Sequence, residues 1–224
     1  ARALGFTSIN AIGVDLAETQ VRRARTRSRD LSELEGIELT FETGDICERL
    51  PWPDASFDLC LCLYGVLNHI PPSRVSGLLA EIARVTRHDL IATVRSIGST
   101  PTICVDSIEE ARWFWHDECR NRLEAELQNG GRLSMDFRLF GTAELKAASN
   151  PYFEVTELQG LDLFHGRFTR DRRWNRTSKT SASFIRKLES LEERYCRDPE
   201  FVDHANHLLF VASPRPSPRA EADR

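Results

Sequence analysis

Two acidic residues each stand directly after a short apolar run: Asp15 in Val14-Asp15-Leu16, and Asp45 in Gly44-Asp45-Ile46. A carboxylate just past a strand and ahead of a helix can accept hydrogen bonds from both hydroxyls of a ribose. It can equally serve as a helix N-cap. Asp45 can accept from the amino group of an adenine while Ile46 covers the ring, and Gly44 lets backbone approach closely. Gly-Asp is also simply a turn. A third group follows the apolar run 57–64, where Tyr64, Asn68 and His69 lie near a strand mouth. Histidine is the side chain whose ordinary pKa suits proton transfer near neutrality. The alternative reading is a histidine satisfied inside a core.

Metal chemistry finds little support. His204-x-x-His207 has no carboxylate partner at helical spacing, and Cys60-x-Cys62 has no second cysteine pair, so no metal is expected. On a strand Cys60 and Cys62 share one face. With Cys47, Cys104, Cys119 and Cys196 they read as core thiols in a reducing compartment, which points to the cytoplasm.

These residues need elements to position them. Apolar runs predict strands over 8–14, 37–43, 57–64, 90–94, 133–139, 153–158 and 207–212. The run 57–64 is almost wholly apolar, as a central parallel strand buried on both faces would be. Helical periodicity predicts a helix over 18–34 with Val21, Ala24, Leu31 and Leu34 inward. A second helix is opened by Pro71 and Pro72, with a stripe of Val75, Leu78, Leu79, Ile82 and Val85. Further helices are predicted over 107–127, with Ile108, Ala111, Trp115 and Leu123 as contacts, and over 142–148 and 183–196. The Pro-rich polar stretch 213–224 is expected to be disordered. Strands alternating with helices imply an α/β fold, an open and mostly parallel sheet with helices on both faces. A single domain over 1–212 is expected, and ligands in such sheets bind beyond the carboxyl ends of the strands.

The 224 residues carry a formal net charge of −4, with 41% hydrophobic and 29% charged residues. That is enough apolar content for a core and no stretch long enough to span a bilayer. The acidic balance argues against nucleic acid as a partner. Neither a membrane partner nor a signal peptide is expected.

Four segments, in order and at matching spacing, resemble the class I S-adenosylmethionine-dependent methyltransferases: V-D-L at 14–16, G-D-I at 44–46, L-P-W-P-D-A-S-F-D-L at 50–59 and L-N-H-I at 67–70. The resemblance is strong over 8–95 and continues more weakly through 153–158 and 207–212, which look like the family's last two, antiparallel strands. It implies a Rossmann-like fold with S-adenosylmethionine as cofactor. Asp15 would bind the ribose and Leu16 would pack on the adenine. Asp45 would bind the adenine amino group, with Gly44 and Ile46 beside it. Leu63 or Tyr64 would offer backbone to the methionine moiety. The family's first strand and glycine-rich loop are not among these residues. The resemblance implies that they lie upstream of Ala1-Arg2-Ala3-Leu4-Gly5-Phe6, so that the chain is N-terminally incomplete.

The implied reaction is methyl transfer from a sulfonium to an oxygen or nitrogen nucleophile of a small molecule, by in-line displacement. His69 is the candidate base, and Asn68, Arg95 and His165 are candidate substrate contacts. The segment 95–106 and the basic, aromatic insertion 161–179 are the expected lid and pocket walls, the insertion alternatively being a solvated loop. A noncatalytic methyltransferase-like binding protein is the main alternative. A nicotinamide-dependent oxidoreductase is the lesser one, since G-D-I followed by the 50–59 segment is unexpected there.

Overall fold

The computed structural model describes residues 5–29, 36–103, 111–167 and 182–216. Where one domain was expected, the chain parts into two compact units, Ala1–Pro51 and Trp52–Arg224.

In the first unit, β1 (Ile9–Asp15) pairs in parallel with β2 (Ile37–Thr43), in unbroken register from Ile9 with Ile37 to Asp15 with Thr43. The helix α1 (Glu18–Arg27) makes the crossover. Val21 is its buried anchor, and the Arg25 guanidinium fastens it to β2 through the Phe41 carbonyl at 2.6 Å. The helix ends at Arg27, before the predicted 34. Leu31 and Leu34 lie outside the described residues.

The second unit is built on a four-stranded sheet of order β3-β4-β9-β8. β3 (Phe57–Cys62) runs parallel to β4 (Thr86–Arg95), and β4 is antiparallel to β9 (His207–Pro214). β9 is antiparallel to β8 (Phe153–Leu161). Between β3 and β4 runs α2 (Pro72–Val85), with Pro72 in its first turn, where a missing N–H costs nothing. All five residues of its predicted stripe are buried, Leu78 and Leu79 completely, against a core that includes Leu90, Ala92, Val94, Leu208 and Phe210. At about 25 cal/mol per Å², each fully buried Leu or Val side chain contributes about 1.5–3 kcal/mol. This sheet face holds the unit together. Two further helices, α3 (Thr142–Ser149) and α4 (Ala182–Tyr195), follow close to prediction.

Three expectations need correction. β3 is an edge strand of its sheet rather than a central one: Leu59 and Leu61 are 47% and 60% exposed, while Cys62 on the other face is buried. An apolar run shows only that burial is favourable, and does not show on which edges a strand is paired. The described part of the predicted helix 107–127, residues 111–127, is not helical. They contain β5 (Ala111–Asp117) and β6 (Arg122–Leu127), which continue into β7 (Arg132–Asp136) as an antiparallel meander. Trp113 and Trp115 alternate with Phe114 and His116, a period of two in residue types that favour strands. Asn121 (φ +53°) and Gly130 (φ +82°) supply the left-handed turn positions. Phe114 and Leu123 pack on a cluster of Ile103, Phe137 and Leu139, and the two tryptophans face outward. Ile108 lies outside the described residues. Finally, β9 runs to Pro214, and Arg215 clasps the neighbouring turn through Tyr152 and Asn150, each at 2.8 Å. The expected disorder from 213 therefore does not hold for Ser213–Arg215, and 217–224 lie outside the described residues.

Among the described cysteines, all free thiols, Cys62 and Cys196 are buried and Cys119 is exposed in the β5–β6 turn, so the core reading fails for Cys119. Cys104 is not described. Burial, reinforced by the neighbouring Cys60, pushes the Cys62 thiol up to about 12.

Candidate active site

In the first unit the candidate residues gather where β1 and β2 end. The Gly44 N–H donates to the Asp15 carbonyl at 3.1 Å, which joins the two loops. Asp15 Oδ1 accepts from the Ala17 N–H at 2.7 Å, and Asp45 Oδ1 accepts from the Cys47 N–H at 2.8 Å. Each carboxylate is thus held by a bond to backbone two residues on, an Asx turn. The N-cap of α1 is Ala17, so Asp15 is not the cap that a local reading suggests. Asp15 and Leu16 are exposed, whereas Gly44, Asp45 and Ile46 are half-buried. Asp15 lines a cleft of about 440 Å³ together with Gly13, Val14, Gln20, Val21 and Phe41.

In the second unit the candidates gather where β3 and β4 end. The chain leaves β3 through two successive left-handed residues, Tyr64 (φ +60°) and Gly65 (φ +76°). The side chain and carbonyl of Thr93 on β4 accept from their N–H groups at 2.8 and 3.2 Å. A Cβ at position 65 would lie 2.9 Å from Asn68 Oδ1, so the conformation and the space both call for glycine. Tyr64 is 96% exposed, and Leu63 is half-buried.

Asn68, on the turn Val66–His69, is completely buried. Its amide donates to the carbonyls of Arg95 and Arg138, and its Oδ1 accepts from the Arg95 N–H at 2.8 Å. It was expected to touch substrate. Its side chain is bonded to backbone of Arg95 and Arg138.

His69 is exposed, and its Nδ1 lies 3.2 Å from the Asp136 carbonyl at the end of β7. A carbonyl only accepts, so Nδ1 carries a hydrogen; in the neutral ring that leaves the lone pair on Nε2, the tautomer a general base requires. Phe137 packs against the ring in a tilted arrangement at 5.4 Å. His116 also lies 5.4 Å from Phe137, and its Nε2 donates to the Phe137 carbonyl at 3.3 Å. His116 Nδ1 is buried without a hydrogen-bond partner among the described residues. Sequence reasoning missed His116 because it placed the segment on a helix. The alternation Trp-Phe-Trp-His was the available signal.

Arg95 ends β4. Its backbone is held by Asn68 and by the Phe140 N–H at 3.0 Å, and its guanidinium meets His207. The His165 N–H donates to Glu192 on α4 at 3.3 Å. Of the expected lid, Arg167 donates to the carbonyls of Gly98 and His204, and burial holds its pKa below the ordinary value. Residues 168–181 lie outside the described residues.

The segment 50–59 is a buttress. The Arg84 guanidinium binds the Trp52 carbonyl at 2.8 Å and Asp54 at 2.9 Å, and Glu81 completes the pair at 2.8 Å. These carboxylates raise the Arg84 pKa further above its ordinary range. Trp52 meets Phe57 edge-on at 5.1 Å.

Residues 1–89 match the family described as a methyltransferase domain. Over 98 residues the chain is 30% identical to the ubiquinone/menaquinone biosynthesis C-methyltransferase UbiE of Citrifermentans bemidjiense, a match covering 44% of this chain and 39% of that protein. The chain therefore spans about two fifths of that relative's length. Its fold is similar to the PH0226 protein from Pyrococcus horikoshii OT3 (TM-score 0.58, 15% identity, 96% of this chain and 74% of that one). It is also similar to a SAM-dependent methyltransferase from Methanosarcina mazei (TM-score 0.56, 17% identity, 90% and 80%). At these identities the structural likeness is one of fold. The likeness to methyltransferase domains thus rests on residues 1–89, and over most of the chain's length the likeness to solved structures is one of fold.

Proposed function

We propose that this chain transfers a methyl group from S-adenosylmethionine to a small-molecule oxygen or nitrogen nucleophile. The observation that supports it best is the pair of carboxylates, Asp15 and Asp45, each fixed by an Asx turn at the carboxyl end of adjacent parallel strands. A fixed carboxylate pairs well with a diol or an amino edge. When bound, the cofactor supplies a methyl group already activated on a sulfonium. Asp15 then holds the ribose hydroxyls and Asp45 the adenine amino group, while Leu16 and Ile46 cover the ring. Leu63 and Tyr64 offer backbone to the methionine end. His69, with its proton fixed on Nδ1, takes the proton that the acceptor loses, through Nε2.

Calorimetry tests the cofactor. S-Adenosylhomocysteine is expected to bind and NAD is not; the reverse result overturns the reading. His69→Ala is expected to keep S-adenosylhomocysteine binding and lose about 10²–10⁴-fold in turnover. Undiminished turnover removes His69 from the mechanism.

A further inference from the structure

The chain leaving β7, residues 136–138, is gripped by two elements, and its backbone groups sort by residue. Those of Phe137 bond to the meander. Its N–H donates to the Asn121 carbonyl of the β5–β6 turn at 2.8 Å, and its carbonyl accepts from His116 Nε2 at 3.3 Å. Those of Asp136 and Arg138 bond to the turn Val66–His69. The Asp136 carbonyl accepts from His69 Nδ1 at 3.2 Å. The Arg138 N–H donates to the Asn68 carbonyl at 2.8 Å, and the Arg138 carbonyl accepts from the Asn68 amide. An extended chain sorts its groups in this way, because successive residues turn their N–H and C=O to opposite edges.

His116 is the side chain that the meander contributes to this frame. It shares a strand face with Phe114, which packs with Leu123 on the cluster of Ile103, Phe137 and Leu139. The rings of His69 and His116 each lie 5.4 Å from the Phe137 ring. Each also donates a ring hydrogen to one of two consecutive carbonyls, His69 to that of Asp136 and His116 to that of Phe137. The two tautomers are opposite. His69 carries its hydrogen on Nδ1, and His116 carries one on Nε2. In the neutral ring of His116 the lone pair is then on Nδ1, which is buried without a hydrogen-bond partner among the described residues. That enclosed nitrogen is not placed to take a proton from a ligand, so what the ring contributes is its bond to Phe137.

A shift of residues 136–138 would move the Asp136 carbonyl, the acceptor that keeps the His69 hydrogen on Nδ1. From this geometry, and resting on the methyl-transfer reading in which His69 Nε2 takes the acceptor's proton, we infer that His116 is a positioning residue for His69. It holds the Phe137 carbonyl, the adjoining peptide holds the Asp136 carbonyl, and that carbonyl sets the tautomer of the base. The meander β5–β7 then serves proton transfer as well as covering a hydrophobic cluster.

Long-range proton–nitrogen NMR of the 224-residue chain, labelled with nitrogen-15 in its histidine rings, reads the tautomer of each neutral imidazole. Spectra are recorded at about pH 8.5, about two units above the ordinary imidazole pKa. His69→Gln and His116→Gln assign the two rings. Wild-type His69 is expected to carry its hydrogen on Nδ1, and His116 on Nε2. In His116→Phe the ratio of Nδ1–H to Nε2–H at His69 is expected to fall about two- to ten-fold, the worth of one hydrogen bond. His116→Gln, whose side-chain amide can donate to the Phe137 carbonyl, is expected to keep the wild-type ratio. A purely structural His116 would lower the melting temperature in His116→Phe and leave the His69 ratio unchanged. His116→Leu gives the same reading if His116→Phe does not fold by circular dichroism. An unchanged ratio in His116→Phe or His116→Leu, a lost ratio in His116→Gln, or a wild-type His69 with its hydrogen on Nε2 overturns the inference. S-Adenosylhomocysteine, titrated into the same samples by calorimetry, is expected to bind the wild type and His116→Phe alike. Binding with an uncoupled tautomer defeats this inference alone, and a coupled tautomer without binding defeats the methyl-transfer reading alone.

Discussion

The two strand mouths are built in different ways. Where β1 and β2 end, each carboxylate is held by a partner two residues away in sequence. Where β3 and β4 end, the polar groups are held by partners 27 to 112 residues away: Asn68 by Arg95 and Arg138, His69 by Asp136, and Arg95 by His207. The first mouth is assembled from local turns and the second from tertiary structure. A substitution in the first should therefore remove binding and spare the fold. In the second, the buried residues should cost stability and the exposed ones chemistry.

The sharpest way to break this contrast is Asn68→Ala. It strips the Arg95 N–H and the Arg138 carbonyl of their Asn68 partner in a fully buried position, while the Arg95 carbonyl keeps the Phe140 N–H, and is expected to cost about 3–5 kcal/mol in urea unfolding. A loss below about 1 kcal/mol would show that the second mouth does not depend on its long-range bonds. Asp15→Ala is expected to lower S-adenosylhomocysteine affinity about 10- to 30-fold, or about 1.4–2 kcal/mol, with an unaltered circular dichroism spectrum. A large loss of stability would show that Asp15 is a structural turn residue. Gly65→Ala, at φ +76° and facing Asn68 Oδ1, is expected to cost about 1–2 kcal/mol, seen as a lowered melting temperature.

The smallest effect concerns pH. Cys62 titrates at about 12 in the folded chain against an ordinary 9.0. Between those values the unfolded chain loses a proton that the folded chain keeps, so this contribution to stability is present below about 9 and is lost as pH rises toward 12. Urea midpoints at about pH 8 and about pH 10 should fall more in the wild type than in Cys62→Ala; equal slopes would contradict the buried thiol.

The same contrast explains what the sequence revealed. Asp15, Asp45 and the stripe of α2 were legible because their determinants are local: an apolar run, a turn dipeptide, a helical spacing. Arg84 as the partner of the 50–59 segment was not, because nothing near Trp52 names a guanidinium some thirty residues on. The meander β5–β7 was misread because Ala111, Trp115 and Leu123 also fit a helical stripe, and only the alternation around Trp113 and His116 distinguishes the two. That error hid the element whose Asp136 carbonyl fixes the His69 tautomer. Asn68 looked like a substrate contact because its type suits one. Its burial depends on Arg95 and Arg138, which no local pattern ties to it.

The most direct test of the central claim is a backbone amide NMR titration of the chain with S-adenosylhomocysteine. The expected shift changes fall on Asp15, Leu16, Gly44, Asp45, Ile46 and Tyr64. An absence of change at these amides, or changes there with NAD and not with S-adenosylhomocysteine, would contradict the methyltransferase assignment of the site.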